Sequence, residues 1–190
     1  MSILPDKWIK TCSSIKEMIK PFHENLKEKG VISYGVSSYG YDVSLAPEFK
    51  IFFDQPHSSD FIIDPKNFDE DNICFKCEQD SIVIPPNNFV LGRTVEYLKI
   101  PDDVTGIFFT KSTYARVGCN ITTTVLEAGW EGELVVEIYN TTKFPIRVYA
   151  NEGIGQILFF KGNEKCQVSY KDRGGKYMNQ RGVTTAKVKS

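Results

Sequence analysis

From Ser33 onward the chain is cut into short β-branched and aromatic runs: YDVSL, FKIFF, SIVI, FVLGRTVEYL, TGIFFT, ELVVEIYN, FPIRVYA, GQILFF and CQVSY, separated by Pro, Gly, Asn and Asp. No other feature constrains the fold as tightly. Turn residues at these intervals interrupt the chain before a helical apolar stripe can complete, and the pattern is that of an all-β sandwich, jelly roll or barrel. With 190 residues, 41% of them apolar and 13% aromatic, the chain can bury one ordinary core and is short for two, so a single domain over 1–190 is expected. An N-terminal helical appendage occupies 1–30. There Asp6 is placed to cap a helix, and Trp8, Cys12, Ile15 and Ile19 follow at helical spacing until Pro21. PFHENLKEKG then predicts a second short helix closed by Gly30. At the other end, 171–190 has paired glycines, several cations and no apolar periodicity, the texture of a tail or lid.

The formal charge of −1 provides no electrostatic footprint for a nucleic-acid polymer or an anionic membrane, so an anionic ligand must be met by a local basic cluster. No apolar stretch is long enough to span a bilayer and MSILPDKWIK lacks a signal-peptide pattern, so a soluble, cytoplasmic protein is expected. Five scattered cysteines suit reduced thiols. Cys74 and Cys77 form a C-x-x-C, but zinc would need two more soft ligands nearby, and two unpaired strand cysteines is the reading. Both histidines, His23 and His57, sit in polar, loop-like surroundings, the latter at the head of a polar loop that reaches Asn72. Neither fits a Ser-His-Asp triad, and the H-x-E and P-C-x-x-C pair of zinc nucleobase deaminases is absent. No protein-held metal is expected.

Three stretches carry candidate chemistry. In GWEGELVVEIYN, alternation puts Leu134, Val136 and Ile138 on one face and Glu133, Val135, Glu137 and Tyr139 on the other. Between Val135 and Tyr139, the Glu137 carboxylate would sit in a partly apolar pocket, where desolvation raises its pKa and suits it to proton transfer. Glu133, two residues earlier, is expected to be a solvated strand residue whose loss matters little. TKSTYARVG places Lys111, Ser112, Thr113 and Arg116 on a turn after a hydrophobic strand, a composition competent to cradle phosphate. A second cationic set, Lys171, Arg173, Lys176 and Arg181, lies in the tail. Two such clusters, one on a mobile segment, suggest a polyphosphate closed under a lid. SSYGYDVSL adds a strand entry with Gly40 and Asp42.

Taken in order, SSYGYD, DPKNF, RTVEY, KSTYARVG, LEAGWEG, VVEIYN, YANEG and GKYMNQRG resemble the dCTP deaminase family of the dUTPase-like superfamily, and the resemblance covers nearly the whole chain. It implies a distorted β-barrel or jelly-roll protomer in a homotrimer, with sites built between subunits and closed by the C-terminal segment. Glu137 matches the catalytic glutamate, and Ser112 and Arg116 match its water-positioning and electrostatic partners. The same matching puts Lys111, Ser112, Arg116, Tyr170, Lys176 and Gln180 on the triphosphate and Glu127, Val135 and Val136 on sugar and base, with Mg²⁺ arriving on the triphosphate and dTTP as an inhibitor at the same site. The chain departs from its relatives at Val125 and Ala128, where proline is common. Hydrolytic deamination of dCTP to dUTP and ammonia is the expected activity. The alternatives are a bifunctional enzyme that continues to dUMP, with Glu127 orienting water toward phosphorus, and a non-catalytic β-domain that senses nucleoside triphosphates.

Overall fold

The computed structural model describes residues 2–24, 27–53 and 62–188. His57 and two residues of the second predicted helix lie outside the described residues. In chain order the elements are β1 (Ser2–Ile3), α1 (Asp6–Lys16), β2 (Ile19–Lys20), β3 (Gly35–Ser37), β4 (Gly40–Ser44), β5 (Glu48–Phe52), α2 (Glu70–Ile73), β6 (Cys74–Glu78) and β7 (Ser81–Ile84). They continue as β8 (Phe89–Lys99), β9 (Val104–Thr110), α3 (Ser112–Ala115), β10 (Cys119–Thr122), β11 (Glu131–Asn140), β12 (Ile146–Tyr149) and β13 (Gly153–Lys161).

The predicted short runs become strands because each offers one apolar face per alternate residue, and two antiparallel sheets curl around one core as a distorted half-barrel. One sheet centres on β13, which pairs with β9 along its length and with β4 and β1 on its other side. The second runs β10-β11-β8-β5-β6, with β2 also on β8; β7 and β12 form a separate ribbon. Phe49, Val136, Ile138, Ile121, Tyr41, Ile157 and Phe159 are among the fully enclosed side chains of the shared core.

Four sequence expectations change. Asp6 is the first helical residue of α1, and the capping position falls to Pro5 without a side-chain hydrogen bond. The helix ends at Lys16 because Glu17 turns left-handed (φ 51°), so Ile15 stays 75% exposed and Ile19 is buried from β2 instead. The inward stripe is Ile9, Cys12 and Ser13, with Trp8 packed at its margin. No helix forms among the described residues of PFHENLKEKG, whose thin apolar face gives a helix nothing to bury. CQVSY is not a strand: Val168 is 60% exposed and Ser169 closes a turn with the Asp172 carboxylate. Among the described residues no helix is long and apolar enough to cross a membrane.

A break in the β8–β11 ladder matters for the site. Glu133 pairs with Tyr97 and Val135 with Arg93, so Leu134 alone faces Thr94, Val95 and Glu96. The Thr94 hydroxyl accepts the Leu134 N–H and donates to the Glu96 carbonyl, closing the gap. The bulge keeps the alternation in phase, so Glu96 stays inside with Thr94 and Leu98 while Arg93 and Glu133 lie on the outer face.

Candidate active site

Residues directly paired across antiparallel strands share a face, which makes the outer face of the second sheet readable from its register. Phe52, Phe89 and Tyr139 lie at one end, Leu91, Glu137 and Thr122 in the middle, and Glu48, Arg93 and Glu133 at the other. The aromatic end is packed: Phe52 and Phe89 have ring centroids 4.4 Å apart, and Phe89 stacks on Tyr139 at 5.3 Å. A cavity of about 960 Å³ stands on this floor, walled by the 123–127 loop, by Ile63, Pro65 and Phe68, and by tail residues from Tyr170 to Ala186.

Glu137 lies in the middle of the floor. Leu91 is its direct cross-strand partner, and the Thr122 hydroxyl donates to its Oε2 at 3.3 Å. Burial among these apolar groups raises its pKa above the ordinary glutamate value, against the weaker lowering effect of the Thr122 hydroxyl and its own backbone. A carboxylate without a cationic partner among the described residues, half-buried and facing a cavity, can take up and return a proton.

The cavity brings together Glu127, Val135, Glu137, Tyr170, Lys176 and Gln180 of the predicted set. Tyr170 accepts the Tyr177 N–H on its hydroxyl (3.1 Å), Lys176 donates to the Lys187 carbonyl (2.6 Å), and Gln180 bridges the Glu133 carbonyl and the Thr184 hydroxyl. Glu127 pairs with the Arg173 guanidinium across the cavity rim. The floor and wall add groups that sequence reasoning did not single out: Thr122 and Thr123, Phe52, Phe89 and Leu91, and Thr184 and Thr185. The hydroxyl run ITTT was the available signal for the first pair; the aromatic wall comes from two strands distant in sequence, β5 and β8, and has no local signature.

Other predicted residues fall elsewhere. Val136 cannot offer its side chain to a base, because alternation sends it into the core, where it is fully enclosed. Lys111 is engaged by Asp42 at 2.7 Å in a largely buried pair that fastens the end of β9 to β4. Ser112, Thr113 and Arg116 are exposed on α3 and its C-terminus. That turn is pinned by Tyr114, whose buried hydroxyl accepts the Tyr149 N–H and whose pKa burial pushes up to about 12. The chain then runs along β10 from Cys119 to Thr122, which pairs with Glu137. Three strand residues span about 10 Å, and none of Lys111, Ser112, Thr113 or Arg116 lines the cavity.

Glu133 differs most from expectation. It is buried, at 8% exposure, and its carboxylate accepts from Arg181 (3.1 Å) and the Gly182 N–H (2.7 Å) and lies 3.4 Å from Arg93. Its partners Arg181 and Gly182 come from the tail, a non-local contact that strand alternation cannot show. Cys74 and Cys77 are three apart on β6 and so face opposite sides, and both thiols are free.

Comparison with known proteins adds the following. A family model described as dCTP deaminase-like matches residues 3–162. The dCTP deaminase of Erythrobacter litoralis is 50% identical over 188 residues, covering 99% of this chain and 100% of its own length. That of Gluconobacter oxydans is 53% identical with the same coverage. In fold, the chain is similar to the crystal structure of 2'-deoxycytidine 5'-triphosphate deaminase from Agrobacterium tumefaciens, with a TM-score of 0.62 at 20% identity over 84% of this chain. This chain spans about half of that longer one, 48%.

Proposed function

The chain belongs to the dCTP deaminase-like family and is an enzyme that deaminates dCTP, and from that premise we propose that Glu137 is the group that moves the protons. One observation carries this reading: Glu137 faces the cavity from the middle of its floor, without a cationic partner among the described residues, and with its carboxyl pushed above the ordinary range by burial. Ionised Glu137 takes a proton from a water whose oxygen bonds to C4 of cytosine and passes it to ring nitrogen N3. The new hydroxyl then gives its proton, again through Glu137, to the amino group; the C4–N bond breaks, ammonia leaves, and the oxygen stays as the uracil carbonyl. One water is consumed and dUTP is the product. Water activation by a carboxylate suits Glu137, whose burial favours the proton-holding form. Mg²⁺ would be held by the oxygens of the triphosphate itself, lowering its charge.

Lys176, Gln180 and Tyr170 approach the nucleotide from the tail, which we read as a lid over 171–190 on a single domain. Ser112 and Arg116, with Thr113 beside them, complete the site in a homotrimer, each set supplied to the cavity of a neighbouring copy. Supporting this are their exposure on a pinned turn and their separation from Glu137 along β10. Ser112 would hold the water and Arg116 would stabilise developing charge. Glu127 is neutralised by Arg173, which favours a product that stops at dUTP over water activation at phosphorus. A cytoplasmic enzyme inhibited by dTTP, which shares the sugar and triphosphate, completes the reading.

Incubating the protein with dCTP and Mg²⁺ and separating dCTP, dUTP, dUMP and ammonia tests it. Equal dUTP and ammonia are expected, dUMP would establish the bifunctional alternative, and unchanged dCTP would leave a binding domain. Sharing of sites is tested by mixing: Glu137→Gln and Arg116→Ala, each inactive, should regain activity when subunits are exchanged, and no recovery would contradict it.

A further inference from the structure

The charged end of the sheet floor is built around two buried carboxylates. Glu48 and Glu133 are each 8% exposed, and Arg93 stands between them, with Nε 2.9 Å from Glu48 and Nη1 3.4 Å from Glu133. One guanidinium does not satisfy two buried carboxylates, which together offer about eight acceptor sites. Lys76 reaches Glu48 at 3.3 Å, and the other donors come from the tail. The Val183 N–H lies 3.0 Å from Glu48 Oε1, the Gly182 N–H 2.7 Å from Glu133 Oε2, and Arg181 Nη1 3.1 Å from Glu133 Oε1. The Glu133 backbone also takes part: its N–H donates to the Gln180 carbonyl (2.9 Å) and its carbonyl accepts from Gln180 Nε2 (2.8 Å).

Two successive tail amides thus meet two different carboxylates. Gly182 makes this possible with φ +70°, a conformation that side chains rarely adopt, and an added Cβ would stand 3.1 Å from Glu48 Oε1. Just upstream, the Trp130 indole donates to the Tyr177 carbonyl at 3.0 Å, so Gln180 lies between two anchors and Lys176 directly beside one.

We propose that Glu48 and Glu133, bridged by Arg93, are positioning residues for the reaction: they form a latch that grips Arg181, Gly182 and Val183 and thereby sets Lys176 and Gln180 over the nucleotide. The latch touches no substrate and acts through the tail, and it rests on the reading of that segment as a lid.

The test compares wild type, Glu133→Gln, Gly182→Ala, Arg181→Ala and Arg181→Lys by kcat and KM for dCTP, thermal midpoint, and hydrogen exchange at the Gly182 and Val183 amides. The tail variants replace no barrel residue, so they decide the matter even if Glu133→Gln folds poorly. Loss of a hydrogen bond to a charged group corresponds to roughly 10- to 100-fold; KM should rise by that much in Glu133→Gln and Gly182→Ala, with kcat within about threefold. Arg181→Ala should raise KM less, Arg181→Lys should recover part of that rise, and amide exchange should quicken in step with KM. Unchanged KM and exchange in Gly182→Ala and Arg181→Ala would overturn the latch, as would kcat and midpoint falling together with KM unmoved. Failure of the lid reading looks different: wild type truncated before Gly174 would then keep the full chain's KM, and the latch would fall with it.

Discussion

Glu133 and Glu137 lie on the outer face of one strand, yet their surroundings are opposite. Glu133 has Arg93, Arg181 and the Gly182 amide around it, so its charge is matched and its lone pairs are used. Glu137 faces Leu91, with the Phe52–Phe89 pair near by and the Thr122 hydroxyl as its polar contact. Matched charge holds structure; an unmatched carboxylate in apolar surroundings is available for proton transfer. Residue type and strand position are the same, and the neighbours decide the role.

The largest effect that would break this contrast belongs to Glu137→Gln, which keeps size and hydrogen bonding but cannot take up a proton. Deamination should fall by roughly 10²–10⁴-fold with dCTP binding retained, and near-normal turnover in a steady-state assay would erase the distinction. Glu96 sharpens it as a third glutamate, buried completely but outside the cavity. Burial pushes its carboxyl up to about 7, against the lowering effect of the Ser44 N–H and hydroxyl. The folded protein therefore holds more protons than the unfolded chain between the ordinary value of 4.5 and about 7, and stability falls as pH rises through that window. At ~1.4 kcal/mol per pH unit the loss is about 3 kcal/mol. Glu96→Gln should recover up to that amount in denaturant melts at pH 8, recover little at pH 4.5, and leave kcat unchanged; a fall in kcat with intact fold would mean that burial outside the cavity also serves the reaction.

A smaller effect is expected at Glu133→Gln, where KM should rise while kcat holds, and a loss of kcat matching that of Glu137→Gln would merge the two roles. The smallest is Phe89→Ala, which admits water beside Glu137. Because the base must be ionised and burial has raised its pKa, the acid limb of the pH–kcat/KM profile should move to lower pH in this variant; an unmoved limb would show that the aromatic wall does not set the ionisation of Glu137.

Much of this was legible in the sequence. The strands from β4 to β13 follow alternation closely, and Glu137 stood out because two apolar neighbours share its face. What escaped depends on pairing between distant segments. Glu133 reads as solvated until the tail, 48 residues on at Arg181, is laid against it. Nothing near Lys111 in the sequence announces its ion pair with Asp42, 69 residues back. In α1 the expected Trp8 and Ile15 give way to Ile9 and Ser13 beside Cys12, and CQVSY has strand composition but ends in a turn that Ser169 closes with Asp172.

Titration of the side-chain carboxyl carbon of Glu137 by ¹³C NMR, assigned by its absence in Glu137→Gln, tests the central claim most directly. A midpoint clearly above the ordinary glutamate value of 4.5, moving down in Phe89→Ala, is the result predicted. A midpoint at or below that value would mean that the cavity does not desolvate this carboxylate, and Glu137 would then be one more solvated strand residue.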